Sequence, residues 1–361
     1  MIPEMMTAMV FEDINVIRAR QVPVPKPKRG EALVKIMASG LCITDVHVLQ
    51  GLFAHSKPPC VMGHEVTGEI VEFGEEQPFP HRLKLHQRVV VETMLACGQC
   101  PQCLSGNKNL CEHGGDIGEP PFQGGYSEYI TMPVGNLYPI PDNMSYEEAA
   151  IFESFVCPVG GLMRIGITLG DTVLVQGLGP AGLAFIQGAK AMGAGRILVS
   201  DMNEQRLALG KKYGAHVCIN FKEQDLYKIV EQETGGRGVD ICCEASGASM
   251  AYQACFDLAR KNGKLIFYGI PKDTHQTRFD VTQVITKQLN LYGTSGAPCA
   301  WEPVLNLYGQ GKYNIKDMVT HTFELEQMEK AVKTLSDPEK GAIKIVLYSP
   351  NNRKQDNKDG F

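Results

Sequence analysis

The run Asp171-Thr172-Val173-Leu174-Val175-Gln176-Gly177-Leu178-Gly179-Pro180-Ala181-Gly182 carries the clearest fold signal in the chain. Its first half is a short apolar, β-branched stretch of the kind that forms a strand buried on both faces of a parallel sheet. Its second half is G-x-G-x-x-G, and residues 183–192 read as a helix beyond it. A bare G-x-G-x-x-G says little, but a strand before it and a helix after it make it informative. Glycines there let the backbone turn and approach a pyrophosphate, and the unpaired N–H groups of a helix start favour an anion. The next apolar run, 196–200, ends in Asp201, 19 residues beyond Gly182, close to the ~20 expected for an acid that binds ribose hydroxyls. Gly177, Leu178, Gly179, Pro180, Ala181, Gly182 and Asp201 are therefore candidate dinucleotide-binding residues. A carboxylate at 201 would repel a 2′-phosphate, which favours NAD over NADP. Arg206 is the opposing signal, since a nearby guanidinium could serve a phosphate; its bland reading is a solvated helix face.

Toward the C-terminus, apolar runs at 239–243, 263–269 and 289–293 alternate with helical spacers. That pattern is α/β and predicts a doubly wound parallel sheet. Cys242 and Cys243 read as core strand residues. A helix over 301–307, a strand over 319–323, a helix over 325–335 and a strand over 343–348 follow, and the polar stretch 349–361 reads as a loose tail.

At 361 residues the chain suits two domains of ordinary size. Its 43% hydrophobic and 21% charged residues are those of a soluble globular protein. The formal charge of 35 − 40 = −5 argues against a nucleic-acid partner. No segment approaches the ~18 consecutive apolar residues of a membrane span, so no membrane partner is expected. No basic region followed by an apolar core opens the chain, and the expected location is cytoplasmic. Twelve cysteines in that setting point to metals and buried thiols rather than disulfides.

Toward the N-terminus, short apolar or alternating runs between 6 and 36 predict a β-rich start. Gly40-Leu41-Cys42-Ile43-Thr44-Asp45-Val46-His47 then places a thiolate, a hydroxyl, a carboxylate and an imidazole within six residues. A helix start capped by Thr44, with Cys42 simply buried, is the bland account of it. Gly63-His64-Glu65 enters a β-branched run that ends near Gly74 and offers an imidazole and a carboxylate. Cys97, Cys100, Cys103 and Cys111 form C-x2-C-x2-C-x7-C. Four thiolates leave no open position, which describes a closed, structural zinc site. An iron–sulfur cluster uses the same donors.

With Gly124-Gly125-Tyr126-Ser127-Glu128-Tyr129, read as a strand after the cysteine loop, these motifs resemble the zinc-dependent medium-chain alcohol and polyol dehydrogenases over nearly the whole chain. The resemblance implies a GroES-like β-rich catalytic domain over 1–157 and 295–361, and a Rossmann NAD-binding domain over 158–294. It also implies a catalytic zinc on Cys42 and His64 with a third ligand from Glu65 or Glu153; Cys157 is a further candidate that reads better as a pocket wall. Glu153 stands where alcohol dehydrogenases carry a second cysteine, a departure that points to the polyol and threonine dehydrogenase branch. Ile43 replaces a basic residue that often touches the pyrophosphate. The implied chemistry is oxidation of an alcohol or polyol, with zinc as Lewis acid and hydride passing to nicotinamide C4. Thr44 would take the proton and His47 would relay it outward, against the alternative that His47 is merely exposed. Asp45 would fix the tautomer of His64. Phe53, Phe122 and Tyr126 are pocket-wall candidates that also read as core. The family's last sheet strand commonly pairs with its copy, which implies a homodimer or homotetramer. Two other functions compete: a zinc-independent NADPH quinone or enoyl reductase of the same superfamily, and a zinc-stabilised binding protein without catalysis.

Overall fold

The computed structural model describes residues 1–52, 56–75, 83–271 and 279–350; Phe53 and most of the polar tail lie outside them. The chain forms two compact units, Met1–Ser154 with Trp301–Phe361, and Phe155–Ala300.

The second unit is built on six parallel strands in the order Val217–Asn220, Arg196–Asp201, Thr172–Gln176, Val239–Glu244, Ala259–Phe267, Asn290–Gly293. The strand order reverses on either side of Thr172–Gln176, and ligands of such sheets bind at that switch point, beyond the carboxyl ends of the strands. Val173, Leu174 and Val175 are fully buried, each worth about 1.5–3 kcal/mol against exposure. Leu174, Leu198, Cys242 and Leu265 share one core with Ala254, Cys255 and Phe256 of the helix Ser249–Leu258. Cys242 and Cys243 are core residues, as their apolar surroundings suggest.

In the first unit, Glu31–Leu41 is the central strand. It pairs antiparallel with Glu65–Phe73, with Tyr129–Pro133 and with Lys344–Tyr348. The last strand therefore returns beside the first motif: Val346 lies opposite Gly40, and Gly40 opposite Glu65. A Cβ on Gly40 would overlap the Glu65 carboxylate, so the small residue leaves room for that side chain. The segment Gly124 to Tyr129 departs from expectation, because the strand begins only at Tyr129. Gly124 and Gly125 instead press on Met62 and Val66, where a Cβ would collide. Their amides bond to the backbone at Val61 and Gly63. Among the described residues no helix is long and apolar enough to cross a membrane.

Candidate active site and metal centres

Cys42, not Thr44, caps the helix Ile43–Leu49, and it directly follows the strand Glu31–Leu41. His64 precedes the strand Glu65–Phe73, paired beside it. That pairing brings ligand atoms of Cys42, His64 and Glu65 within 4.8 Å of one another. Thr44 Oγ1 lies 3.5 Å from Cys42 Sγ. His47 is half-buried one turn along the same helix, on the face of Thr44.

Asp45 is where the group is organised. Its Oδ1 lies 3.3 Å from His64 Nδ1, and its Oδ2 accepts from Tyr126 Oη at 2.6 Å and from the Cys42 amide at 3.2 Å. Burial alone would raise the Asp45 carboxyl, but His64, Tyr126 and the Cys42 amide hold it below the usual range. Burial likewise works against a charged His64, and Asp45 and Cys42 outweigh it, raising its pKa well above the ordinary value. With Nδ1 taken by Asp45, Nε2 is the nitrogen left to bind a metal.

Glu65 is wholly buried. Its Oε1 accepts from Lys344 Nζ and Ser154 Oγ, both at 2.5 Å, whereas Oε2 is buried without a hydrogen-bond partner. A buried carboxylate oxygen normally has a partner, and a cation shared with Cys42 and His64 would supply one. One thiolate, one imidazole and one carboxylate are a sound zinc donor set with a fourth position open. Glu153 does not join that group, although it is near enough to Lys344 to favour the ammonium. Cys157 is buried and also stays outside it.

Lys344 went unnoticed in the sequence because nothing local marks it. It is buried, donates to Glu65, to Ser154 Oγ at 3.0 Å and to the Leu41 carbonyl at 3.3 Å. Burial pushes its ammonium down, yet Glu65 and Cys42 raise it above the usual range. Ser154 was missed for the same reason. Tyr126, a pocket-wall candidate that also reads as core, is fully buried, and its hydroxyl donates to Asp45.

Cys97, Cys100, Cys103 and Cys111 form the second donor group. Their Sγ separations of 3.5 Å (Cys100–Cys103), 3.9 Å (Cys100–Cys111) and 4.0 Å (Cys97–Cys103) bracket the about 3.8 Å edge of a tetrahedron with Zn–S bonds of about 2.3 Å. Backbone amides at Cys103 and Glu112 lower the Cys100 thiol to about 6, and those at Cys97 and His113 lower Cys111, whereas burial and the neighbouring thiols push Cys103 up to about 12; a bound zinc would be what brings all four to thiolate.

At the switch point Gly177 has φ +85°, and a Cβ there would strike Ser246. Gly179 caps the helix Pro180–Ala191, with Pro180 at its first position, where a missing N–H costs nothing. Leu178 and Ala181 lie on either side of that cap. A Cβ on Gly182 would collide with the Gly177 carbonyl. Asp201 ends its strand and accepts from the amides of Leu178 (2.6 Å), Met202 (2.7 Å) and Asn203 (2.9 Å). Arg206 sits in the first turn of the following helix, Glu204–Tyr213.

Fold and donor groups together define a zinc-binding oxidoreductase that uses a nicotinamide dinucleotide. Residues 28–142 match the alcohol dehydrogenase GroES-like domain, and residues 180–309 match the zinc-binding dehydrogenase domain. Sorbitol dehydrogenase of Bacillus subtilis is 32% identical over 97% of this chain and 99% of its own. L-threonine 3-dehydrogenase of Pyrococcus furiosus is 34% identical over 91% of this chain and 94% of its own. The solved alcohol dehydrogenase TADH from Thermus sp. ATN1 superposes with TM-score 0.86 at 29% identity, over 95% of this chain and all of the other. The chain belongs to the zinc-dependent medium-chain alcohol and polyol dehydrogenases.

Proposed function

We propose that the protein oxidises a secondary alcohol or polyol to the carbonyl and passes the hydride to NAD. The observation that carries the reading is Glu65 Oε2, a buried carboxylate oxygen without a protein donor, grouped with Cys42 and His64. These three residues would hold the catalytic zinc, with Glu65 rather than Glu153 as third ligand. Cys97, Cys100, Cys103 and Cys111 would hold the structural one. When bound, zinc supplies Lewis acidity that eases ionisation of the alcohol, and the nicotinamide supplies a hydride acceptor.

The chain's own residues do the rest. Asp45 holds the His64 tautomer, Thr44 accepts the alcohol proton, and His47 passes it outward. Gly177 to Gly182 receive the pyrophosphate, Asp201 receives the adenosine ribose and disfavours a 2′-phosphate, and Arg206 stays on the helix surface. The likeness to a sorbitol dehydrogenase and an L-threonine 3-dehydrogenase supports a secondary-alcohol substrate. None of the twelve cysteines is joined in a disulfide, which suits a cytoplasmic location. The edge strand Asn290–Gly293, with the exposed Val281 and Ile285 on the helix Val281–Lys287 that precedes it in the chain, supports a homodimer or homotetramer through that edge. The zinc-independent reductase has no use for the three-donor group, and a binding module has none for the glycine turn.

The test is reduction of NAD and of NADP with primary alcohols, secondary alcohols, polyols and threonine, with zinc measured before and after chelation. Two zinc ions per chain and turnover of a secondary alcohol are expected. A zinc-loaded protein inactive on all of them would sink the reading.

A further inference from the structure

We propose that Tyr126 is a positioning residue for the catalytic zinc, fixing His64 from two sides: its ring seats the backbone before the imidazole, and its hydroxyl aims Asp45 at Nδ1. The proposal rests on Cys42, His64 and Glu65 being the zinc ligands. Three observations carry it. First, the Tyr126 ring packs so closely on Gly63 that a Cβ there would come within 2.7 Å of it, and Gly63 itself has φ +97°. Only glycine tolerates both conditions. Second, Tyr126 N bonds to the Met62 carbonyl at 3.0 Å and Gly125 N to the Gly63 carbonyl at 2.8 Å. The segment leading into His64 is thus tied to the segment that carries the tyrosine.

Third, Tyr126 Oη has one proton and two acceptors in view, Asp45 Oδ2 at 2.6 Å and the Gly40 carbonyl at 3.3 Å. The shorter, charge-assisted bond to the carboxylate wins. Oδ2 is then held by Tyr126 and the Cys42 amide, which leaves Oδ1 directed at His64 Nδ1. A phenylalanine at 126 would keep the ring on Gly63 and release the carboxylate. Tyr126 is wholly buried, so water would not replace the lost donor.

The experiment uses the full-length, zinc-loaded protein as wild type, Tyr126→Phe, Asp45→Asn and the double variant. It measures zinc per chain, zinc release to a chelator, and the visible absorption after Co2+ replaces the catalytic zinc. The expected Tyr126→Phe protein keeps the structural zinc, loses affinity at the other site about 3- to 10-fold, below the 10- to 100-fold typical when a ligand's direct partner is removed, and shows a shifted Co2+ spectrum. Added to Asp45→Asn, the same change should have almost no further effect, since its route runs through Asp45. Wild-type release and spectrum, an equal effect in both backgrounds, or joint loss of both zincs would each overturn the proposal. A wild-type protein with only the four-cysteine zinc would overturn the ligand reading itself, a distinct result.

Discussion

Replacing Lys344 by methionine removes one charge from the first unit's interior while nearly preserving volume. Its ammonium has three protons and three acceptors, Glu65 Oε1, Ser154 Oγ and the Leu41 carbonyl. The variant would leave the Glu65 carboxylate wholly buried beside Ser154, with the Leu41 carbonyl stripped of that donor. Breaking a buried ion pair from one side typically costs about 3–5 kcal/mol, and at 2.5 Å with both partners buried this pair belongs in that range. The loss should be largest when the catalytic zinc has been removed and the structural zinc kept, because a bound cation would itself neutralise Glu65. Urea unfolding followed by the fluorescence of Trp301 reads this directly. Trp301 is the chain's single tryptophan, buried against Tyr138 (5.7 Å) and Phe152 (5.5 Å) of the same unit. A loss under ~1 kcal/mol without the catalytic zinc, or an equal loss with and without it, would refute the reasoning.

Glu65→Gln should weaken zinc retention at the catalytic site by at least ~10-fold while Glu153→Ala leaves occupancy unchanged; metal analysis after dialysis decides, and the reverse result would hand the ligand role to Glu153. Asp240 is pushed up by burial, but Arg237, the Thr172 amide and Arg260 outweigh this and hold it at about 2. A folded-state pKa below the unfolded one stabilises fully above about pH 4, and the benefit is lost as pH falls through the folded value of about 2. Asp240→Asn should thus cost ~2 kcal/mol at pH 7, progressively less below about pH 4, and nothing only below about pH 2, with a pH-independent deficit in thermal melts as the contrary outcome. Asp201→Ser should raise the KM for NAD about 10-fold, the worth of one charge-assisted hydrogen bond, and narrow the preference over NADP; an unchanged ratio of the two kcat/KM values would remove Asp201 from cofactor choice.

Features that depend on short spacing were legible in the chain alone. A strand, a glycine turn and a helix in succession form one continuous unit, so 171–192 could be read without a partner. Four thiolates around one ion must lie within a few ångströms, and a C-x2-C-x2-C-x7-C loop achieves this locally. Cys42 and His64 were legible because their neighbours carry chemistry that packing does not require. Other features had no local signature. Glu65 and Glu153 are the same residue type beside equally suggestive motifs, and only the register that sets Gly40 opposite Glu65 brings one carboxylate into the donor group. The division near Ser154 falls in the helix Phe152–Ile165, which shows no break in composition. Tyr126 reads as any core aromatic until its hydroxyl is found at Asp45. Lys344, 279 residues from Glu65, looks like a solvated lysine in an edge strand. It becomes a buried counter-ion only because the last strand pairs beside Glu31–Leu41, and burial and charge pairing between distant segments are properties of the assembled sheet.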